Sequence, residues 1–308
     1  MLQLITSRMA AVPPRTEEHR LLIDPEFLEE LAHRAADLPG NDCDLIRDLF
    51  SAALREMRIG GAWKRTHSGR LRATEDALCR FFAGRSGQPL TLLDLGASDG
   101  ITTLEALRAL RYRLGSDIRV YLADKNLSLL RYRRWAVVEY RAQDGEPILA
   151  RIGPLGLRLA KQRRGVEEAG DPIANLYLRL KAFRSRLRPR GRILLINPLV
   201  RCEPAVTPIE MDCLERDARL VDRVNAVRAS NLLNCAYFTP DQVRTAVGHA
   251  YAYLREGGCL IISRNDDTKE REVERGSLWS KGPSGFERRE DFGGGAESRD
   301  LVDQWRPA

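Results

Sequence analysis

No stretch of this 308-residue chain approaches the ~20 consecutive apolar residues that cross a bilayer as a helix. Residues 1–8 carry no basic start ahead of a long apolar run and no small-residue cleavage site. They read as a packed or frayed terminus of a cytoplasmic protein rather than as a leader. Six cysteines (Cys43, Cys79, Cys202, Cys213, Cys235 and Cys259) are scattered without one Cys-x-x-Cys pair, which speaks against a zinc site or a disulfide framework. Several lie in apolar runs, where reduced core thiols belong. Aromatic residues make up only 6%, little material for the stacking platforms that grip unpaired nucleic acid. There is also no tail of one charge. The net +7 is spread over arginines interleaved with acids, so it reads as a solvated basic surface. What remains is a globular composition, 43% hydrophobic and 30% charged, long enough for one large domain or for one with a smaller companion.

The chain is organised around residues 90–100. Leu90 to Leu95 is a short apolar run that reads as a buried strand. It ends in Gly96-Ala97-Ser98-Asp99-Gly100, and the next residues place Leu104, Leu107, Leu110 and Leu114 at helical spacing. Strand, glycine turn and helix together make a ligand site. Glycine lets the backbone turn sharply and a ligand come close, while the first helical N–H groups lack intrahelical partners. Further strands follow at residues 119–123, ending in Asp124, and at 206–211, ending in Asp212. Residues 224–234 include Asn231 and Asn234, with Tyr237 just beyond, and an apolar run follows Gly257-Gly258.

Around this core the pattern is less regular. Two helices are expected early. One has Phe27, Leu28, Leu31 and Ala35 on its apolar side; the other carries Leu45, Ile46, Leu49, Phe50, Ala53, Leu54 and Met57. A third begins near Thr74, giving an N-terminal helical region over 1–88 and a main domain over 89–308. Between the helices, Arg70 or Arg72 of a basic segment could pair a ligand carboxylate. An insertion of about 127–191 interrupts the main domain. Its strand-like stretches 135–140 and 148–152 flank the hairpin signal Asp144-Gly145, and a basic amphipathic helix is expected over 171–187. Asn197-Pro198 starts like an Asn-Pro-Pro-Tyr tetrad but stands before the third strand, out of place. Thr239-Pro240-Asp241-Gln242 is a capping box, and His249 lies off the apolar stripe of the helix it opens.

The run Asp94-Leu95-Gly96-Ala97-Ser98-Asp99-Gly100 resembles the first motif of class I (Rossmann-like) S-adenosylmethionine-dependent methyltransferases. It departs from the nicotinamide fingerprint because Ser98 stands where the second glycine would be. The resemblance spans roughly 90–263. It implies an α/β fold with a doubly wound, seven-stranded, mostly parallel sheet, an N-terminal helical region covering the cofactor site, and a β-hairpin-plus-helix insertion. It further implies S-adenosyl-L-methionine as cofactor, with S-adenosyl-L-homocysteine as product. The cofactor would be held by Asp94, Gly96, Ala97, Ser98, Asp99, Gly100, Thr102, Asp124, Lys125, Asp212, Cys213 and Asn231, and no metal is implied. Asp124 would meet the ribose, and Asp212 with Cys213 the adenine edge. Asn231 and Tyr237 are the candidate catalytic residues, facing substrate where the fourth strand opens.

The stretch Asn231-Leu232-Leu233-Asn234-Cys235-Ala236-Tyr237-Phe238 is similar to a segment of chemotaxis-receptor methyltransferases, although their Thr-x-Phe-Phe-Arg motif is absent near 66–80. The readings this leaves are a methyltransferase for a small-molecule or natural-product acceptor, a protein carboxyl methyltransferase, a nucleic-acid methyltransferase, and a non-catalytic cofactor-binding regulatory module. A small-molecule partner comes first and nucleic acid last. The oligomeric state is open, a homodimer included.

Overall fold

The structure is a computed structural model that describes residues 3–6, 22–37, 42–59, 62–64, 66–134, 136–153, 155–159, 189–235, 238–267 and 272–307. In chain order its elements begin with β1 (Gln3–Thr6), β2 (Leu22–Ile23), α1 (Glu26–Asp37), α2 (Asp42–Arg55), β3 (Arg58–Ile59), β4 (Ala62–Trp63) and α3 (Arg72–Phe82). Next come β5 (Leu90–Leu95), α4 (Ile101–Leu114), β6 (Ile118–Asp124), β7 (Ser128–Arg134), β8 (Val137–Arg141), β9 (Pro147–Ile152), β10 (Leu155–Arg158) and β11 (Gly191–Leu194). The rest are α5 (Pro198–Arg201), β12 (Val206–Glu210), β13 (Val224–Ser230), α6 (Pro240–Tyr253), β14 (Leu254–Asp267), β15 (Glu272–Gly282), β16 (Gly285–Phe292) and α7 (Arg299–Asp303). No helix among the described residues is long and apolar enough to cross a membrane.

These elements form two compact units, each built from two pieces of chain: Met1–Thr66 with Asn126–Leu199, and His67–Lys125 with Val200–Ala308. The division differs from the expected boundary at 88/89. The helix at Thr74 starts at Arg72 and belongs to the second unit, and the 127–191 segment joins the N-terminal residues in the first.

The first unit is a seven-stranded sheet in the order β11-β7-β8-β9-β10-β1-β2, antiparallel except for the last pair. The expected hairpin is thus the centre of a larger sheet, and the helix expected over 171–187 lies outside the described residues. Helices α1 and α2 cover one face, burying Leu28, Leu31, Phe50, Ala53 and Leu54 with Leu129, Val138, Tyr140, Leu149 and Ile193. Asn197 belongs here: fully buried, it donates from Nδ2 to the Arg47 carbonyl at 3.1 Å and to Ser51 Oγ at 3.2 Å. Its task is to fasten the chain to α2, which explains the stray Asn-Pro.

The second unit holds a seven-stranded sheet in the order β12-β6-β5-β13-β14-β15-β16. The first five strands run parallel, and β15 and β16 complete the sheet as an antiparallel meander. Counted along the chain, the parallel strands stand in the order 3-2-1-4-5, the Rossmann-like arrangement with its reversal between β5 and β13. This is the mostly parallel α/β fold the sequence led one to expect. Strand β5 is apolar almost throughout because both its faces are covered. Helix α4 buries Leu104, Leu107, Leu110 and Leu114 and stops at Gly115, whose φ of +60° suits the left-handed cap. A core of Leu93, Leu95, Val227, Val243, Val247, Tyr253, Leu260 and Trp279 joins the sheet to α6.

Candidate functional site at the carboxyl ends of the parallel strands

In sheets wound this way, ligands settle outside the carboxyl ends of the strands, at the reversal point. Here that place is the turn after β5. The backbone adopts positive φ at Gly96 (71°), Ser98 (59°) and Gly100 (83°). Serine rarely takes such a conformation, so the Ser98 backbone is held by its surroundings. Its N–H donates to Asp124 Oδ2 at 2.9 Å, while its Oγ is buried without a hydrogen-bond partner among the described residues.

The turn's amides have internal acceptors. Gly96 and Ala97 both donate to the Ala123 carbonyl, Gly100 to the Ala97 carbonyl, and Ile101 to Asp99 Oδ1 at 3.1 Å. Several N–H groups of the turn thus have acceptors within the chain. Its two glycines also serve different ends. A Cβ on Gly100 would stand 2.3 Å from Leu122 Cδ1, so this glycine is demanded by packing under the helix start. A Cβ on Gly96 would meet Leu232 at 3.1 Å, so Leu232 from the β13 exit lies against that face of the turn.

Register brings the acids together. Leu95 is level with Ala123, so Gly96 stands beside Asp124 at the end of β6. Asp124 in turn pairs with Glu210 at the end of β12, and the Met211 N–H donates to the Asp124 carbonyl. Asp212 follows at once, accepting from the Leu214 N–H at 3.0 Å and lying 3.2 Å from Lys125 Nζ. Turn, Asp124, Lys125 and Asp212 are thus neighbours along one rim of the sheet.

Other expected residues have different surroundings. Asp94 and Asp99 are buried; Asp94 is held by Arg228 and Thr103 beneath the turn, where Thr102 also faces Arg228. Cys213 is half-buried, its thiol pushed up to about 12 by burial, so it stays protonated near neutral pH. Its carbonyl lies 3.0 Å from His249 Nδ1, which gives the histidine, off the apolar stripe of its helix, a structural partner. Asn231, with φ of 58°, is engaged side chain to chain with Asn265: Oδ1 accepts from the Asn265 N–H at 2.8 Å, and Nδ2 donates to Asn265 Oδ1 at 3.1 Å. It clamps the ends of β13 and β14. Tyr237 lies outside the described residues.

Sequence reading missed Arg228, Glu75, Glu274 and Leu232. The signal for the first was present: an arginine in the middle of Val224-Asn225-Ala226-Val227-Arg228-Ala229-Ser230, a strand with alanine and valine on either side of it, must find a buried partner.

No family model matches the chain, and no curated protein does. Among solved structures, it is similar to the S-adenosylmethionine-dependent methyltransferase SibL in its apo form, at 13% identity over 80% of this chain and 48% of that one, with a TM-score of 0.31. It is also similar to the CMeT domain of the citrinin polyketide synthase (13%, 79% and 51%, 0.34) and to an O-methyltransferase family protein from Burkholderia thailandensis (16%, 77% and 45%, 0.30). The chain spans about half the length of these proteins. At such scores the likeness adds nothing to the strand order, which by itself gives the second unit the Rossmann-like fold on which class I methyltransferases are built.

Proposed function

We propose that the second unit binds S-adenosyl-L-methionine and that the protein transfers its methyl group to a small-molecule acceptor. The observation that carries this is the pair of acids, Asp124 and Asp212, at the ends of adjacent strands beside the turn at the reversal point. The donor set suits a nucleoside: Asp124 to accept from ribose hydroxyls, Asp212 with the neighbouring backbone to meet the adenine edge, and the orphaned Ser98 Oγ as an extra polar contact. When bound, the cofactor supplies an electrophilic methyl group on a sulfonium. The chain's part is to hold it, keep its methyl directed at the acceptor and exclude water.

Titration with S-adenosyl-L-homocysteine in a calorimeter tests the binding. The homocysteine nucleoside should bind with a stoichiometry of one, NAD should not, and Asp124→Ala should weaken uptake at least tenfold, the loss of about 1.4 kcal/mol. Absence of heat, or an unaffected Asp124→Ala protein, would overturn the proposal.

A second reading, a cofactor-binding module without turnover, draws on Leu232 lying against Gly96 and on Asn231 being bound to Asn265. Incubation with labelled cofactor and a mixture of small acceptors separates the two, because only an enzyme yields labelled product.

A further inference from the structure

The end of β13 carries a row of side-chain hydroxyls that nucleoside binding leaves unused. Ser230 Oγ lies 2.8 Å from Ser263 Oγ, which lies 2.7 Å from Thr74 Oγ1, which in turn lies 2.5 Å from Glu274 Oε1. Ser230 and Ser263 are level on the paired strands β13 and β14; Thr74 comes from α3 and Glu274 from β15. Exposure rises from Thr74 (0%) through Ser263 (3%) to Ser230 (9%), so the row emerges at the strand end. At its other end Glu274 is only half-buried and has access to water.

While Glu274 is ionised, the protons along this row can stand in one order. A carboxylate only accepts, and this one takes the Ala73 and Thr74 N–H groups at 2.7 and 2.9 Å together with the Thr74 hydroxyl. Thr74 has then spent its single proton, so Ser263 donates to Thr74 and Ser230 donates to Ser263. The row therefore ends at Ser230 in an oxygen whose proton points inward and whose lone pairs are left to accept. That oxygen stands beside the glycine turn. Arg228 is level with Asp94, and two residues further along come Ser230 on β13 and Gly96 after β5. Ligands of such sheets settle at this reversal point.

We propose that the methyl acceptor is an alcohol or phenol bound against Ser230, and that Ser230, Ser263 and Thr74 carry its proton to the Glu274 carboxylate. This rests on the methyl-transfer reading above and adds to it the acceptor's class and the path of its proton. As the acceptor oxygen bonds to the methyl carbon, the carbon–sulfur bond breaks and its electron pair stays on sulfur, leaving a thioether. The acceptor's hydroxyl proton passes to Ser230, whose own proton goes to Ser263; Ser263 gives one to Thr74 and Thr74 one to Glu274. The neutral carboxyl then releases its proton to water. Burial raises Glu274 above the ordinary carboxyl value, against the pull of its Thr74 and Ala73 donors and of Arg228, and a raised carboxyl is the better base. The charged groups facing it are Arg228 of β13 and Glu75 of α3.

Two probes of one shape separate proton removal from everything else. The full chain is given S-adenosyl-L-methionine with 4-nitrophenol or 4-nitrothiophenol, at a pH where the free phenol is protonated and the free thiol is already a thiolate. Ser230→Ala should slow methylation of the phenol about 10²-fold, the scale of lost acid–base assistance, and leave the thiol rate unchanged. Ser230→Thr, which keeps the hydroxyl, should restore the phenol rate. The thiol rate also reports that each variant is folded. Equal losses on both probes, or a phenol rate indifferent to Ser230→Ala, would overturn the relay while methyl transfer stands. If neither probe is methylated, methyl transfer to such acceptors falls and the relay with it.

A second readout needs no turnover. In the complex with S-adenosyl-L-homocysteine, the absorbance of bound 4-nitrophenol reports its ionisation. An accepting Ser230 oxygen favours the neutral phenol, so the bound probe should ionise at higher pH in wild type than in Ser230→Ala. The same midpoint in both would contradict the proton order on which the relay depends.

Discussion

Gly100 and Gly96 look alike in the sequence and differ in the structure. At Gly100 a methyl group would enter Leu122 while the backbone holds φ at 83°, so Gly100→Ala combines overpacking with a left-handed backbone penalty. We expect it to destabilise the protein by about 2–4 kcal/mol in chemical denaturation. At Gly96 the neighbour is the flexible Leu232 side chain, so the cost of alanine there should be smaller and come mainly from the backbone. Arg228 gives a sharper case. Arg228→Met strands the buried Asp94 carboxylate and should cost about 3–5 kcal/mol, whereas the double variant with Asp94→Asn should cost less than the two changes summed. The turn and its flanking acids were legible because glycine, Asp124 and Asp212 fall at strand ends that periodicity locates. The Asp94–Arg228 pair was not. Its partners are 134 residues apart, and only the register of β5 against β13 brings them level.

Elements were legible where the signal is local. Helix α6 starts where its capping box says, with Thr239 Oγ1 accepting from the Gln242 N–H at 3.3 Å and the Gln242 side chain accepting in return from the Thr239 N–H at 2.9 Å. Thr239→Ala should lower the unfolding free energy by about 1 kcal/mol, read from the denaturation midpoint at constant slope. Strand β7 was overlooked because its sequence, Ser128-Leu129-Leu130-Arg131-Tyr132-Arg133-Arg134, pairs two leucines and three arginines. Arg131 has a use that no short pattern announces: its Nη1 reaches Glu29 of α1 at 3.2 Å. Likewise β1 completes the first sheet by pairing with β10, a contact between residues far apart in the chain. Long-range strand pairing leaves little trace in local composition, which is why a hairpin was expected and a seven-stranded sheet is found.

At the scale of the whole molecule, each unit is assembled from two separated pieces of chain, so neither 1–88 nor 89–308 corresponds to a compact body. We therefore expect a protein truncated to 89–308 to misfold, because it lacks α3, whose Thr74 bonds Ser263 Oγ at 2.7 Å and whose N–H groups hold Glu274. A circular dichroism melt without a cooperative transition would bear this out; a sharp transition like that of the full chain would contradict it. The central claim is that a sulfonium nucleoside lies along the rim formed by the turn, Asp124 and Asp212. A crystal structure of the full chain grown with S-adenosyl-L-homocysteine tests it most directly. Ribose oxygens within hydrogen-bonding distance of Asp124, with adenine beside Asp212, is the result the account predicts. Density for the ligand elsewhere on the molecule, or none at this rim, would contradict it.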